Sequence, residues 1–139
     1  MKRAAVVWGL AGLAGVAHAQ PNPGWEVRLA DRLELASGAS GALSLAIAVD
    51  RGLVVSKDAQ VIVDVTTDAG IVVKKPRLGR GDAVDPEADA PRFAIAVRGE
   101  VAGDHPMKVR VRFWVCAART CRPIEVTRDA VIVVTPPPG

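Results

Sequence analysis

The chain has 139 residues, of which 50% are hydrophobic and 4% aromatic, so it can bury one core but hardly two. Its 18 basic and 15 acidic residues give a net charge of +3. A basic excess alone would raise nucleic acid or an anionic membrane as a partner. We expect one domain.

The first 19 residues have the three parts of a secretory signal peptide. Met1, Lys2 and Arg3 form a positive start, Ala4–Val16 is an uncharged apolar run, and Ala17-His18-Ala19 has the small-x-small form of a cleavage site. The apolar run has 13 residues, whereas a membrane-spanning helix needs about 20. We predict cleavage after Ala19, a periplasmic or secreted location, and no membrane insertion afterwards.

Cleavage removes Lys2 and Arg3, which leaves 16 basic against 15 acidic side chains and a net charge of +1. A nearly neutral chain with scattered charges lacks the basic surface that binds phosphate backbones, so we expect no nucleic-acid partner. Export also places the two cysteines, Cys116 and Cys121, outside the reducing cytoplasm, where they can pair.

The chain after residue 42 is rich in short alternating β-branched runs. Seven strands are expected here, and Trp25–Leu29 is a possible eighth. They are Leu43–Val49, Gln60–Thr66, Ile71–Lys74, Arg92–Arg98, Lys108–Cys116, Arg122–Thr127 and Ala130–Thr135. Seven or eight short strands without a helix predict an immunoglobulin-like antiparallel β-sandwich, with an incomplete barrel as the alternative.

The domain organisation follows from these strands. We expect a signal peptide at residues 1–19, an N-terminal segment and linker at 20–42, the β-sandwich at 43–135 and a Pro-rich tail at 136–139. The small-residue run Ala36–Gly41 is expected as a flexible turn. Lys74–Pro91, with three prolines and two glycines, is expected as a long solvated loop outside the sheets.

A β-hairpin over Lys108–Thr127 is the most informative feature of the sequence. If Cys116 opposes Cys121, all cross-strand pairs have positions summing to 237, and Phe113 faces Ile124. The core stripe is then Val109, Val111, Phe113 and Val115, while the cysteines share the other face with Trp114, Arg112 and Glu125. Sliding the strands by one residue would mix these faces, so the pattern supports opposed cysteines.

Opposed cysteines in a non-hydrogen-bonded pair lie within disulfide range. By the same parity the missing N–H of Pro123 points away from its hairpin partner, which predicts a sheet edge or bulge beside Pro123.

The cysteine pair has three possible roles. A disulfide that closes so short a loop restricts the unfolded chain by only about 2 kcal/mol, which is little for a structural disulfide. Arg119 and Arg122 flank Cys121, and nearby cations favour a reactive thiolate. Redox exchange, a structural disulfide and metal binding all stay open on the residues alone.

The segment around the two cysteines also resembles a known protein family. The sequence Val111-Arg112-Phe113-Trp114-Val115-Cys116, followed by Cys121-Arg122-Pro123, resembles the N-terminal periplasmic domain of the thiol:disulfide interchange protein DsbD family. A Gly-x-Leu-x-Leu pattern, a long Pro-containing loop and a strand with Arg92-Phe93 precede it, so the likeness spans about residues 38–134.

The resemblance implies an immunoglobulin-like domain that passes electrons from a membrane-embedded partner to periplasmic thiol proteins. It also implies that Cys121 forms the transient mixed disulfide and that Cys116 resolves it. The family spacing is five residues in its best-known member and four here, and Arg122 replaces an aromatic residue. The family also covers its disulfide with an aromatic-tipped loop, which Lys74–Pro91 lacks, so we expect Trp114, helped by this loop or by Trp25, to shield the pair.

We therefore predict a thiol:disulfide interchange domain with catalytic residues Cys116 and Cys121, no cofactor and no metal. Its partners would be periplasmic or membrane-bound thiol-disulfide proteins. The alternative is a non-enzymatic extracytoplasmic interaction domain with a structural disulfide. His105, in the loop expected before the strand at Lys108, lacks the further ligands that a copper site would need.

Overall fold

The computed structural model describes residues 23–138, so the expected signal peptide lies outside the described residues. This part of the chain contains ten strands, one short 3-10 turn and no α-helix. The strands are β1 (Trp25–Leu29), β2 (Arg32–Ala36), β3 (Ser40–Val49), β4 (Val54–Val55), β5 (Ile62–Thr67), β6 (Ile71–Val73), β7 (Arg77–Gly79), β8 (Arg92–Gly99), β9 (Gly103–Cys116) and β10 (Cys121–Thr135).

Two sheets pack face to face. One has the order β1-β3-β8-β6, and the other has the order β2-β10-β9-β5-β7, with β4 also paired to β9. Side chains alternate across each strand, so every second residue enters the core between the sheets. The largest fully buried side chains are Phe93, Phe113, Leu43, Leu45, Ile95, Met107 and Ile132. The expected β-sandwich of immunoglobulin-like type is confirmed as an all-β fold of two packed sheets.

The strand list differs from the expectation at several places. The possible eighth strand, Trp25–Leu29, is confirmed as β1, whereas β2 was not expected, so the part of the chain expected as an N-terminal segment and linker contributes a strand to each sheet. The strand β2 pairs in parallel with the end of β10, from Arg32 opposite Val131 to Ala36 opposite Thr135. The sandwich is therefore not purely antiparallel. Between β2 and β3 the chain makes a tight turn with Gly38 at φ +84°, a value that glycine adopts without strain.

The strands β9 and β10 are longer than predicted, and the expected break at Arg128 and Asp129 is absent. These two residues pair with Val109 and Lys108 in an uninterrupted ladder. Asp129 is exposed and pairs with Lys108 at 3.2 Å, and the Arg128 guanidinium reaches across to donate to the Val27 carbonyl at 3.0 Å. Both charges are accommodated outside the core, so they do not interrupt the strand.

The segment Lys74–Pro91 is not an uninterrupted loop, which corrects the expectation. Its residues Arg77–Gly79 form β7, which pairs with β5 at the sheet edge, and Arg80–Asp82 form the 3-10 turn. Its final part is tied at its base, because the Asp85 carboxylate accepts from the Arg92 backbone N–H at 2.7 Å and from the Arg92 guanidinium at 3.0 Å.

Candidate functional site

The β9–β10 hairpin has the predicted register. Cys116 opposes Cys121, and Phe113 opposes Ile124. The turn is closed by the Ala117 N–H, which donates to the Thr120 carbonyl at 2.8 Å. The next pair, Cys116 and Cys121, is therefore non-hydrogen-bonded. The two cysteines form a disulfide with an S–S distance of 2.06 Å and a Cα–Cα distance of 4.0 Å.

The two faces of the hairpin also match the prediction. Phe113 is 1% exposed in the core, and Ile124 is partly buried against it. Trp114 lies on the other face and is 41% exposed. On this outer face Cys116 is half-buried, whereas Cys121 is exposed. Cys121 is thus the more accessible sulfur-bearing residue of the pair.

The short strand β4 lies directly beside Cys116. Val54 opposes Cys116 in an antiparallel pair, and Val55 opposes Val115. The Ser56 backbone N–H donates to the Trp114 carbonyl at 2.8 Å, which extends this contact by one bond. Since opposed residues point to the same side of a sheet, Val54, Cys116 and Cys121 form one row across three adjacent strands.

The opposite end of this row is a sheet edge. The strand β2 pairs with β10 from Val131 onwards, and among residues 23–138 no strand pairs with the stretch from Cys121 to Ala130 on the side away from β9. Pro123 opposes Trp114 in a non-hydrogen-bonded pair, so its missing N–H faces this edge. The predicted edge beside Pro123 is confirmed.

A depression of about 370 Å³ opens beside the disulfide. Both cysteines line it together with two segments that are distant in sequence, and the other lining residues are Val54, Ser56, Lys57, Asp58 and Asp89. The two segments are joined directly, because the Val55 N–H donates to the Asp89 carbonyl at 2.7 Å. The segment Lys74–Pro91, which we expected to lie outside the sheets, therefore borders the disulfide through Asp89.

The two arginines that flank Cys121 have different surroundings. The Arg122 guanidinium donates to the Pro23 carbonyl at 2.6 Å, across the edge of the sandwich. Arg119 is exposed in the hairpin turn. Of the two, the turn arginine has the greater freedom to approach the sulfur atoms.

The aromatic cover of the disulfide differs from the expectation. Trp114 shares the outer face with the cysteines, as predicted. Trp25 does not, because its ring packs edge-on against Phe113 with the ring centroids 5.9 Å apart, on the core side of the hairpin. Because Trp25 packs against Phe113 on the core side, it cannot shield the disulfide.

His105 belongs to a separate cluster, in which the ring is buried and its partner Asp68 is exposed. It lies in β9 and not in a loop, is 7% exposed, and its ring contacts the Asp68 carboxylate at 2.8 Å and the Val101 carbonyl at 2.6 Å. The following Pro106 fits within the strand because β5 pairs with β9 only as far as Met107, which leaves the proline nitrogen at a free edge. Within residues 23–138 no group of three or more acidic, histidine or cysteine side chains is arranged to hold a metal ion.

No helix among the described residues is long and apolar enough to cross a membrane.

The sequence gives no indication that Val54, Asp89 and Arg80 belong near the disulfide. Val54 lies in a two-residue strand and Asp89 in an irregular segment. Arg80 hydrogen-bonds to the carbonyls of both segments. Of the residues that line the depression, only the two cysteines carry a recognisable pattern in the sequence. A disulfide-bonded pair within a β-sandwich is also what a structural disulfide looks like.

No family model matches the chain, and no curated protein matches it. Among solved structures, native α2-macroglobulin from Escherichia coli, from domain MG7 to the C-terminus, is similar at 14% identity and a TM-score of 0.47, covering 78% of this chain and 16% of that one. AggA, the major subunit of aggregative adherence fimbriae type I from Escherichia coli, is similar at 9% identity and a TM-score of 0.40, covering 80% and 94%. Murine CRIg is similar at 10% identity and a TM-score of 0.39, covering 82% and 98%. The chain thus spans less than a fifth of the α2-macroglobulin chain that it matches.

Proposed function

We propose that this chain is an exported thiol:disulfide interchange domain in which the Cys116–Cys121 disulfide accepts two electrons from one thiol protein and passes them to another. The observation that carries the proposal is the difference in exposure within the disulfide, since Cys121 is exposed at the unpaired edge of β10, whereas Cys116 is half-buried between β4 and β10.

Thiol–disulfide exchange requires a thiolate to approach one sulfur in line with the S–S bond, from the side opposite the leaving sulfur. Along the row of paired residues, Val54 of β4 lies on the side of Cys116 that is opposite Cys121. Approach to Cys121 comes from the edge of β10, where among residues 23–138 no strand is paired. The arrangement favours attack on Cys121, the residue to which the DsbD resemblance gives the mixed disulfide.

The electron balance of the cycle is simple. A donor thiolate attacks Cys121 Sγ, the S–S bond breaks, and Cys116 leaves as a thiolate. The donor's second thiolate then attacks its own sulfur in the mixed disulfide, which releases Cys121 as a thiolate and leaves the donor oxidised. Two electrons have entered the domain, and the two thiolates take protons from solvent according to their pKa values.

The second half of the cycle reduces a client. The Cys121 thiolate attacks a client disulfide and forms a mixed disulfide. The Cys116 thiolate then attacks Cys121 Sγ, which restores the domain's disulfide and releases the client as a dithiol. Arg119 is exposed in the adjacent turn, and a cation that approaches a cysteine favours the thiolate as nucleophile or leaving group.

Export is part of the same proposal. The signal-peptide pattern of residues 1–19 supports a periplasmic or secreted location, where a disulfide persists and thiol proteins need a supply of electrons. The partners would be periplasmic or membrane-bound thiol-disulfide proteins. Cleavage after Ala19 is tested by N-terminal sequencing of the protein recovered from the periplasm.

The rival function is a structural disulfide in an interaction domain, and the reduction potential separates the two. We expect a potential well above about −300 mV, the value below which structural disulfides fall. The measurement is equilibration with dithiol and glutathione buffers, followed by alkylation of free thiols. A potential below that value would reject the interchange function.

Single cysteine variants give a second, independent test. Cys116→Ser cannot release a client, so we expect it to accumulate mixed disulfides with periplasmic thiol proteins. Cys121→Ser has no attacking thiol and should trap none, which makes it the matched control. If both variants trap nothing and both lower the melting temperature by several degrees, the disulfide is structural.

A further inference from the structure

Arg80 donates hydrogen bonds to four backbone carbonyl groups. Its Nη1 donates to the carbonyls of Pro86 and Ala88 at 2.9 and 3.1 Å, and its Nη2 donates to those of Val55 and Ser56 at 2.7 and 3.2 Å. The first two carbonyls precede Asp89 in the loop, and the other two lie at the end of β4 and just after it. One half-buried guanidinium therefore joins the two segments that border the disulfide.

Apart from the bonds to Arg80, few hydrogen bonds hold β4 in place. The strand has two residues, and its ladder with β9 consists of two pairs, Val54 with Cys116 and Val55 with Val115. Beyond this ladder, the Ser56 N–H bonds to the Trp114 carbonyl and the Val55 N–H bonds to the Asp89 carbonyl. A strand this short has little stability of its own, so it is held by two anchors, the Val55 side chain buried in the core and the Arg80 guanidinium at the carbonyl side of β4.

We propose that Arg80 is a positioning residue that keeps Val54 beside Cys116 and so directs incoming thiolates to Cys121. Its role in a redox cycle rests on the interchange function proposed above, but its effect on which sulfur is attacked does not. The planar guanidinium presents paired donors at fixed angles, which lets one side chain hold carbonyls from two segments. A lysine ammonium in its place is a single point charge and cannot reproduce both pairs.

The chemical consequence is the choice of leaving group. With β4 in place, a thiolate forms a bond to Cys121 Sγ and expels the Cys116 thiolate. When β4 moves away, the same thiolate can also reach Cys116 Sγ and expel the Cys121 thiolate. A mixed disulfide on Cys116 leaves Cys121 as the resolving thiol, so the roles of the two cysteines are exchanged.

The experiment measures which cysteine carries the adduct. Oxidised protein is mixed briefly with 2-mercaptoethanol and quenched in acid, the freed thiol is alkylated, and the product is digested with trypsin. Cleavage after Arg119 places Cys116 and Cys121 on different peptides, so mass spectrometry reads the ratio directly. In the unaltered protein we expect the adduct on Cys121 to dominate.

In Arg80→Met we expect the fraction of adduct on Cys116 to rise by about fivefold or more, because losing charge-assisted hydrogen bonds raises the population of locally opened states. Arg80→Lys should give a smaller rise. Val54→Ala opens the same side without touching Arg80 and should change the ratio in the same direction. Arg77→Met is the matched control, since Arg77 is an exposed arginine whose partner is Asp64 at 2.7 Å, and it should leave the ratio unchanged.

Equal adducts on both cysteines in the unaltered protein would overturn the proposal. So would an unchanged ratio in folded Arg80→Met, with folding checked by circular dichroism. If Arg80→Met does not fold, an unchanged ratio in Arg80→Lys overturns it instead. A chain that fails the trapping experiment but shows the change in ratio loses the interchange function and keeps this inference.

Discussion

Trp25 packs edge-on against Phe113, with ring centroids 5.9 Å apart and an interplanar angle of 86°. The contact joins β1 of one sheet to β9 of the other, so it is part of what holds the sandwich closed at this end. Edge-to-face pairs add stability beyond the burial of their area. The disulfide lies on the other face of β9, so the two tryptophans of the described chain, Trp25 and Trp114, have separate roles.

Trp25→Ala should lower the free energy of unfolding by about 2–3 kcal/mol, which is below the range for a fully buried tryptophan because Trp25 is partly exposed. The measurement is urea unfolding of the oxidised protein. We expect its rate of reduction by dithiothreitol in the folded state to stay unchanged. A loss below about 0.5 kcal/mol, typical of surface substitutions, would contradict a role in closing the sandwich.

Trp114→Ala should have the opposite profile. The side chain is 41% exposed on the cysteine face, so its removal should cost less than about 1 kcal/mol and should speed reduction by dithiothreitol. The two tryptophan variants serve as controls for each other, since each changes one property. An unchanged reduction rate together with a loss of several kcal/mol would place Trp114 in the core and leave the disulfide without an aromatic cover.

The sequence predicts the hairpin well because its two strands contain the same alternation. Phe113 opposite Ile124 and Val111 opposite Val126 match in character at one register alone, and a shift by one residue would put these side chains on the wrong face. The disulfide, the buried stripe and the sheet edge at Pro123 all follow from that register. Local pattern is sufficient here because the partners are close in sequence.

The remaining parts of the site depend on partners far away in sequence. The strand β2 pairs with a stretch of β10 about 100 residues later, and β4 is too short to show any alternation. Arg80 is bound by backbone carbonyls, which every residue carries, so no residue type in the sequence marks its partners. These features could be predicted only once the fold was known.

The hydrogen bonds around the buried His105 ring predict a dependence of stability on pH. The hydrogen bond from the ring to the Asp68 carboxylate, followed by the bond to the Val101 carbonyl, raises the pKa of His105 above its usual value. The bonds from His105 and from the Gly70 N–H lower the pKa of Asp68. Both ring nitrogens face acceptors, which suits the doubly protonated imidazolium.

The sign of each effect sets the range of pH. His105 contributes its full stability below its unfolded pKa of about 6.5, and this contribution is lost as the pH rises through the higher folded pKa. Asp68 contributes above its unfolded pKa of about 3.9, and its contribution is lost as the pH falls through the lower folded pKa. The pair should therefore stabilise the protein most between about pH 4 and 6.5.

The check is the melting temperature of the oxidised protein at pH 6 and pH 9. We expect a lower value at pH 9, and we expect Asp68→Asn to reduce the difference, because the amide cannot stabilise the protonated ring in the same way. His105 is the single histidine after Ala19, so no other imidazole contributes to the effect. Equal melting temperatures at pH 6 and 9 would contradict the hydrogen-bonding pattern.

Gly70 lies against the ring of His105, and the ring leaves no room for a side chain at position 70. A Cβ atom at this position would lie 2.2 Å from His105 Cε1 and 2.8 Å from Nδ1. The ring cannot move aside easily, because it is bonded at both nitrogens and buried in β9. Gly70→Ala should therefore destabilise the protein by about 1–3 kcal/mol, the usual cost of overfilling a packed site.

The matched control is Gly81→Ala, where a Cβ atom meets nothing within 4 Å, and which should change stability by less than about 0.5 kcal/mol. A double-mutant cycle tests the cause. In a His105→Ala background the ring is gone, so Gly70→Ala should cost far less than in the unaltered chain, because contacting residues are not additive. If Gly70→Ala costs the same in both backgrounds, the glycine is required for a reason other than the imidazole. In that case Gly70→Ala should also leave the pH dependence of the melting temperature unchanged, because Asp68 and Val101 would hold the ring whichever residue packs against it.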